Sequence, residues 1–153
     1  MEPVNQAYWI EKEKEAAALV ASFFSLDYIE SKNKFSYLDG GFAKGGELIA
    51  MVEIKVTDYT PHHFQRSGIF RINGVKIKRC IELSVLHGLP FVVFGYCIGQ
   101  GVFVWKVTNG GGLPLIPLEF RNESRPINAG RRNIIKEICR LKIESAIYLQ
   151  NKL

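Results

Sequence analysis

"GELIAMVEIKV", residues 46–56, has the composition of a buried β-strand but carries two charges near its end. Because side chains alternate between the two faces of a strand, Glu53 and Lys55 point to the same side. The opposite face is entirely apolar and consists of Leu48, Ala50, Val52, Ile54 and Val56. Such a charge pair is either an exposed surface ion pair, contributing roughly 0–1 kcal/mol, or part of a polar site.

Two acidic residues upstream are candidates to join this pair. The segment "FSYLD", residues 35–39, is predicted to be a short strand, and a hairpin with the long strand would bring Asp39 beside Glu53. Glycines fill the predicted turn region between them, at Gly40, Gly41, Gly45 and Gly46. The spacing of apolar residues predicts a helix over 8–24, and Glu13 lies on its apolar stripe, where it can face the same corner.

Two carboxylates and one ammonium at a sheet edge suit metal-assisted phosphodiester hydrolysis. Mg²⁺ prefers oxygen ligands and keeps several waters. We therefore expect Asp39 and Glu53 to bind the metal, with the backbone carbonyl of Ile54 as a further ligand. Lys55 would orient the attacking water or offset negative charge in the transition state.

The residues "YLDGG" followed by "GELIAMVEIKV" resemble the PD-(D/E)XK nuclease superfamily. The resemblance implies an αβββαβ core with Asp39 and Glu53 as metal-binding acids and Lys55 as the catalytic lysine. It also implies a catalytic glutamate on the first helix at Glu13, with Glu15 as the alternative. It covers roughly residues 8–107.

The remaining pattern predicts an α/β (α+β) protein with a mixed sheet flanked by helices. Asn73 is a suitable N-cap for the next predicted helix. The predicted elements are a polar connection at 57–72, a helix at 75–87, a strand at 91–98 covered on both faces, its hairpin partner at 102–107, a loop at 110–120 and an amphipathic C-terminal helix at 131–150.

Basic residues outside the predicted centre are candidates for nucleic-acid binding. Lys76, near the start of the helix at 75–87, would contact the substrate phosphate, or else extend its ammonium to water while its stem packs on the sheet. The stretch "RNESRPINAGRRN", residues 121–133, concentrates arginines at the predicted start of the last helix. Arg125, Arg131 and Arg132 there form either a duplex-binding patch or a solvated helix start.

The composition is that of one domain spanning residues 1–153, with 47% hydrophobic residues and a net charge of +5. This mild basic bias is compatible with a polyanionic partner. No segment has the length and hydropathy of a signal peptide or a membrane span. The cysteines are widely spaced and lie in apolar surroundings, so we expect reduced packing residues and a cytoplasmic location with no membrane partner.

The function predicted from the sequence is a Mg²⁺-dependent DNA endonuclease, with Mn²⁺ as a substitute cofactor. The alternatives are a non-cleaving module that binds nucleic acid or protein, and an interaction protein whose charged corner is a coincidence. A homodimer would suit the cutting of both strands of a duplex, and two-fold dimers are the commonest oligomers.

Overall fold

The structure is a computed structural model, and it describes residues 5–30, 40–127 and 132–151, with the side chains at 5, 125–127, 132 and 133 excepted. The helices are α1 (Asn5–Phe24), α2 (Pro61–Ser67) and α3 (Gly74–Leu86), with a 3₁₀ turn at Ile143–Ser145. The strands are β1 (Asp27–Glu30), β2 (Gly40–Lys44), β3 (Glu47–Thr57), β4 (Ile69–Asn73), β5 (Phe91–Cys97), β6 (Gly101–Thr108), β7 (Glu119–Ile127), β8 (Arg132–Lys142) and β9 (Ile147–Gln150).

A six-stranded mixed sheet with the order β1-β2-β3-β5-β6-β9 forms the centre of the fold. Strands β3 and β5 are parallel, whereas the other neighbours in this sheet are antiparallel. The connection from β3 to β5 contains α2, β4 and α3, as a parallel pair requires a long crossover. The predicted class, a mixed sheet flanked by helices, is therefore confirmed.

The two faces of the large sheet are covered by different elements. Helix α1 packs its buried residues Ala16, Ala17 and Val20 on one face. Helix α3 and a second sheet, with the order β4-β8-β7, cover the other face. The Trp105 indole of β6 is fully buried there and donates a hydrogen bond to the backbone carbonyl of Lys142 at 2.9 Å.

Several predicted elements are confirmed with small changes in their ends. They are the first helix, the long strand β3, the helix α3 and the hairpin of β5 with β6. The Asn73 side chain caps α3 by accepting a hydrogen bond from the Lys76 backbone N–H at 3.1 Å. Strand β5 is buried along most of its length, as its continuous apolar sequence indicates.

The predicted C-terminal helix at 131–150 is wrong, because this region forms β8, a 3₁₀ turn and β9. Ile134, Ile138 and Leu141 have the spacing of a helical stripe, which explains the interpretation. In the structure β8 pairs with both β4 and β7, and Cys139 and Leu141 alternate into the core. The isoleucines of this segment are stiff at χ1 and favour a strand.

The predicted connection at 57–72 is also wrong, because it contains α2 and β4. Local signals for α2 are present in the sequence. Thr60 accepts a hydrogen bond from the His63 backbone N–H, Pro61 occupies the first turn, and Gly68 ends the helix in the left-handed conformation with φ of 75°.

The glycine-rich region divides into a strand and a turn. Gly45 and Gly46, with φ of 60° and 82°, form the turn between β2 and β3. Gly41 lies within β2, where a Cβ atom would come 2.6 Å from the Leu48 side chain. The predicted strand at 35–39 lies outside the described residues. Within the described residues, no helix is long and apolar enough to cross a membrane.

Candidate functional site

A cavity of about 260 Å³ lies beside the second half of β3, between α1 and the start of α3. Its lining combines four charged side chains with apolar walls. The residues that line it are Trp9, Glu13, Glu53, Ile54, Lys55, Val56, Ile72, Asn73 and Lys76. Four residues predicted from the sequence as site residues, Glu13, Glu53, Lys55 and Lys76, therefore share one cavity.

Strand alternation determines how β3 contributes to this cavity. Val52 and Ile54 pack with α1 in one core, whereas Met51 packs in the core on the opposite face. Glu53 and Lys55 follow Met51 at intervals of two and therefore lie on its face. The described part of β2 begins at Gly40, which is paired with Val52, so the cavity lies just past the β2–β3 pairing.

Glu53 is a buried carboxylate, with 3% of its surface exposed. The Lys76 ammonium lies 2.6 Å from its Oε2 atom, and the Lys76 side chain is 37% exposed. An opposite charge at this distance offsets the cost of removing the carboxylate from water. This ion pair joins β3 to the first turn of α3, and the Asn73 cap orients the backbone from which Lys76 extends.

Lys55 lines the same cavity and is exposed. Its ammonium is thus accessible to an anionic substrate, in contrast with the buried Glu53. Ile54 lies between the two charged residues and is 4% exposed. The role of its backbone carbonyl as a metal ligand remains a prediction.

The structure separates the two candidate glutamates of α1. Glu13 lines the cavity, whereas Glu15 accepts hydrogen bonds from the Tyr96 hydroxyl at 3.0 Å and from the Lys12 ammonium at 2.7 Å. The hydrogen bond from Lys12, opposed by partial burial and aided by Tyr96, lowers the pKa of Glu15 below its usual value of 4.5. Glu15 is therefore part of a structural network, and Glu13 is the α1 carboxylate at the candidate site.

Four predicted site residues have no described side chain. Asp39 and Arg131 lie outside the described residues. Arg125 and Arg132 have a described backbone, in β7 and β8, where Arg125 is paired with Ile134 and Arg132 with Ile127. The arginines were predicted to lie near a helix N-terminus. This part of the prediction is wrong because Arg125 and Arg132 belong to a β-hairpin.

Trp9 and Asn73 line the cavity but were not predicted as site residues. Trp9 lies four positions before Glu13 on α1, a spacing that places two helical residues on one face. This spacing is a signal from which Trp9 could have been predicted. Asn73 was recognised only as an N-cap, and no local signal relates Lys76 to Glu53, which is 23 positions earlier.

The donor atoms of the cavity are compatible with a hard divalent cation. Mg²⁺ is commonly bound by one or two carboxylates together with several waters, and Glu13 and Glu53 fit this donor set. Within residues 5–30, 40–127 and 132–151, no group of three or more His, Cys, Asp and Glu side chains is arranged to hold a metal. A third carboxylate ligand at this site would therefore have to come from residues outside these ranges.

The three cysteines do not line this cavity. Cys80, Cys97 and Cys139 are buried and free of disulfides, which confirms their predicted packing role. Burial raises the pKa of Cys97 to about 11 and that of Cys139 to about 12. Thiolates are the nucleophilic form of cysteine, so these two thiols are poorly suited to catalysis at neutral pH.

Comparisons of the chain with protein-family models, with curated proteins and with solved structures gave no match.

Proposed function

We propose that the protein is a metal-dependent DNA endonuclease with its active site in the cavity beside β3. The observation that carries the proposal is the convergence of Glu13, Glu53, Lys55 and Lys76 from three elements around one cavity. The order α1, β1, β2, β3, α3, β5 also contains the αβββαβ succession of the PD-(D/E)XK resemblance, with α2 and β4 inserted before α3.

In this proposal the metal-binding acids are Glu53 and Asp39, with Glu13 as a further ligand or a hydrogen-bond acceptor for a metal-bound water. Asp39 directly precedes Gly40, which is the register partner of Val52, the neighbour of Glu53. With Mg²⁺ bound, the site would gain Lewis-acid polarisation of the phosphate and a more acidic water. Mn²⁺ would substitute, because it also accepts oxygen ligands.

The two lysines have separate roles in the proposed reaction. Lys55, which is exposed in the cavity, orients the attacking water and offsets the negative charge that develops on the phosphoryl oxygens. Lys76 holds a phosphate oxygen while it remains close to Glu53. Hydrolysis adds the water's hydroxyl group to phosphorus, breaks the bond to one sugar oxygen, and delivers a proton to that oxygen.

One observation favours a second candidate, a non-cleaving nucleic-acid-binding module. The Lys76–Glu53 contact at 2.6 Å pairs the buried carboxylate with an ammonium, and such a pair can stabilise the junction of β3 and α3 without a metal. In that case Lys55 and the other basic residues would bind phosphates electrostatically, and binding would weaken steeply with salt.

Cleavage assays distinguish the two candidates. Purified protein is incubated with supercoiled plasmid, linear duplex, single-stranded and branched DNA, in Mg²⁺, in Mn²⁺ and in EDTA. We expect metal-dependent cleavage of at least one substrate. Lys55→Ala should lower the rate on the order of a hundredfold or more, as does the removal of other transition-state donors.

Glu47→Gln is the matched control for Glu53→Gln, because Glu47 lies on the same strand but is exposed at its opposite end. Glu53→Gln should abolish cleavage and Glu47→Gln should leave it intact. Metal-independent gel shifts with no cleavage of any substrate would reject the endonuclease in favour of the binding module.

A further inference from the structure

A second cavity, of about 460 Å³, lies on the α1-covered face of the large sheet beside the C-terminal end of α1. It shares no lining residue with the candidate active site. Its walls come from α1, the β2–β3 hairpin and the β5–β6 pair, through Val20, Phe24, Phe42, Ile49, Val92 and Val104. Pockets of roughly 300–1,000 Å³ with apolar walls are typical of small-molecule sites.

Two lysines add positive charge to this apolar cavity. Lys44 is the last residue of β2, Lys106 lies two positions after Val104 on β6, and both residues line the cavity. Both lysines are exposed. Among the residues that line the cavity in the described part of the chain, none is acidic, and neither lysine forms an ion pair with any described carboxylate.

This combination selects the occupant by its chemistry. Apolar walls favour a ligand with a hydrocarbon body, and two ammonium groups that pair with none of the described carboxylates favour an anionic head group. A second copy of this chain is a poor occupant, since a two-fold contact through this face would bring four lysines together. We propose that the cavity binds an amphipathic anion of the fatty-carboxylate class, with its chain on the apolar wall and its carboxylate paired with the ammonium of either Lys44 or Lys106.

The assay is calorimetric titration of the full chain with decanoate, octanoate and neutral decanol, below their micelle or solubility limits. Decanoate should bind with one site per chain. Each methylene removed should weaken binding about fourfold, so octanoate should bind roughly fifteenfold more weakly than decanoate.

Lys44→Gln combined with Lys106→Gln should remove the preference for decanoate over decanol while leaving the binding of decanol unchanged. Lys136→Gln combined with Lys142→Gln removes the same charge elsewhere on the surface and should preserve the preference. These substitutions of exposed lysines leave the core intact.

Four results would overturn the proposal. They are no decanoate binding at millimolar concentration, equal affinity for decanoate and decanol, an unchanged preference in the Lys44/Lys106 variant, and a stable dimer in sedimentation that excludes decanoate. None of these readouts depends on DNA cleavage, so this inference can fail or succeed separately from the proposed nuclease activity.

Discussion

Replacing Lys76 with methionine is expected to destabilise the fold in a way that depends on pH. The substitution keeps an unbranched side chain along the start of α3 but removes the ammonium that lies 2.6 Å from Glu53 Oε2. Glu53 stays buried, so its carboxylate must be held in a low-dielectric site with less compensation.

The expected magnitude follows from the exposure of the two partners. Breaking a fully buried pair by removing one partner costs about 3–5 kcal/mol, whereas a surface pair contributes about 0–1 kcal/mol. Glu53 is 3% exposed but the Lys76 side chain is 37% exposed, so water partly replaces the ammonium. We expect a loss of about 2 kcal/mol at neutral pH, which corresponds to a Tm lower by about 4–8 °C for a chain of this size.

The loss of stability in Lys76→Met is expected to depend on pH. A buried carboxyl without the ammonium favours its protonated form in the folded state, so stability is lost as the pH rises above about 4.3, the ordinary pKa of glutamate in an unfolded chain. The difference between wild type and Lys76→Met should therefore be large at about pH 7 and should vanish below about pH 4.

The assay is urea unfolding in EDTA, followed by tryptophan fluorescence at both pH values. Lys78→Met is the matched control on the same helix, because Lys78 also contacts a glutamate, Glu137 at 2.8 Å, but its side chain is 51% exposed. The control should change the free energy of unfolding by less than about 1 kcal/mol. In the Glu53→Gln background, Lys76→Met should cost little at either pH. Equal losses in both lysine variants, or a loss independent of pH, would show that burial of the Glu53 carboxylate does not determine the effect.

Four further predictions concern the packing, the structural network and the cysteines. Gly95→Ala should lower the free energy of unfolding in urea by about 1–3 kcal/mol, because its Cβ would lie 2.7 Å from the buried Phe70 ring. Gly111→Ala, at an open turn, is the control and should be nearly neutral. Equal effects of the two substitutions would contradict the close packing at Gly95. Tyr96→Phe should cost about 1–2 kcal/mol at neutral pH, since its hydroxyl both accepts a backbone hydrogen bond and donates one to Glu15. The pKa of Glu15 is lowered in the folded protein, so its ionised form stabilises the fold above pH 4.5. Glu15→Gln should therefore destabilise the protein at neutral pH, and this loss should disappear as acid protonates the wild-type carboxyl. A loss that stays constant with pH would contradict the lowered pKa. The three buried cysteine thiols should resist a disulfide-exchange reagent in native buffer and react fully in denaturant, and fast reaction of the native protein would contradict their burial.

The parts of the fold that could be predicted from the sequence are those with a strong local pattern. The apolar alternation of β3 and the Asn73 cap of α3 define these elements within a few residues. The prediction of a helix at 131–150 was wrong because a spacing such as that of Ile134, Ile138 and Leu141 is compatible both with a helix and with a strand that has apolar residues on both faces. Its pairing with β4, more than 60 positions earlier, decided the outcome.

The candidate site was predictable to the same extent. Strand alternation places Glu53 and Lys55 on one face, and the helical stripe of α1 directs Glu13 to the corner. The ion pair between Glu53 and Lys76 depends on how the crossover returns α3 to the sheet, and no local pattern encodes that return. The second cavity depends on where α1 ends relative to five strands, which is likewise a property of the assembled fold.

The most direct test of the proposed active site is a crystal structure of the protein soaked in Mn²⁺, with the metal located by its anomalous scattering. We expect a peak in the cavity lined by Glu13, Glu53 and Lys55, roughly 2 Å from a Glu53 carboxylate oxygen, with Asp39 as a second ligand. A cavity without a peak at Mn²⁺ concentrations that saturate other carboxylate sites would contradict the proposed metal site.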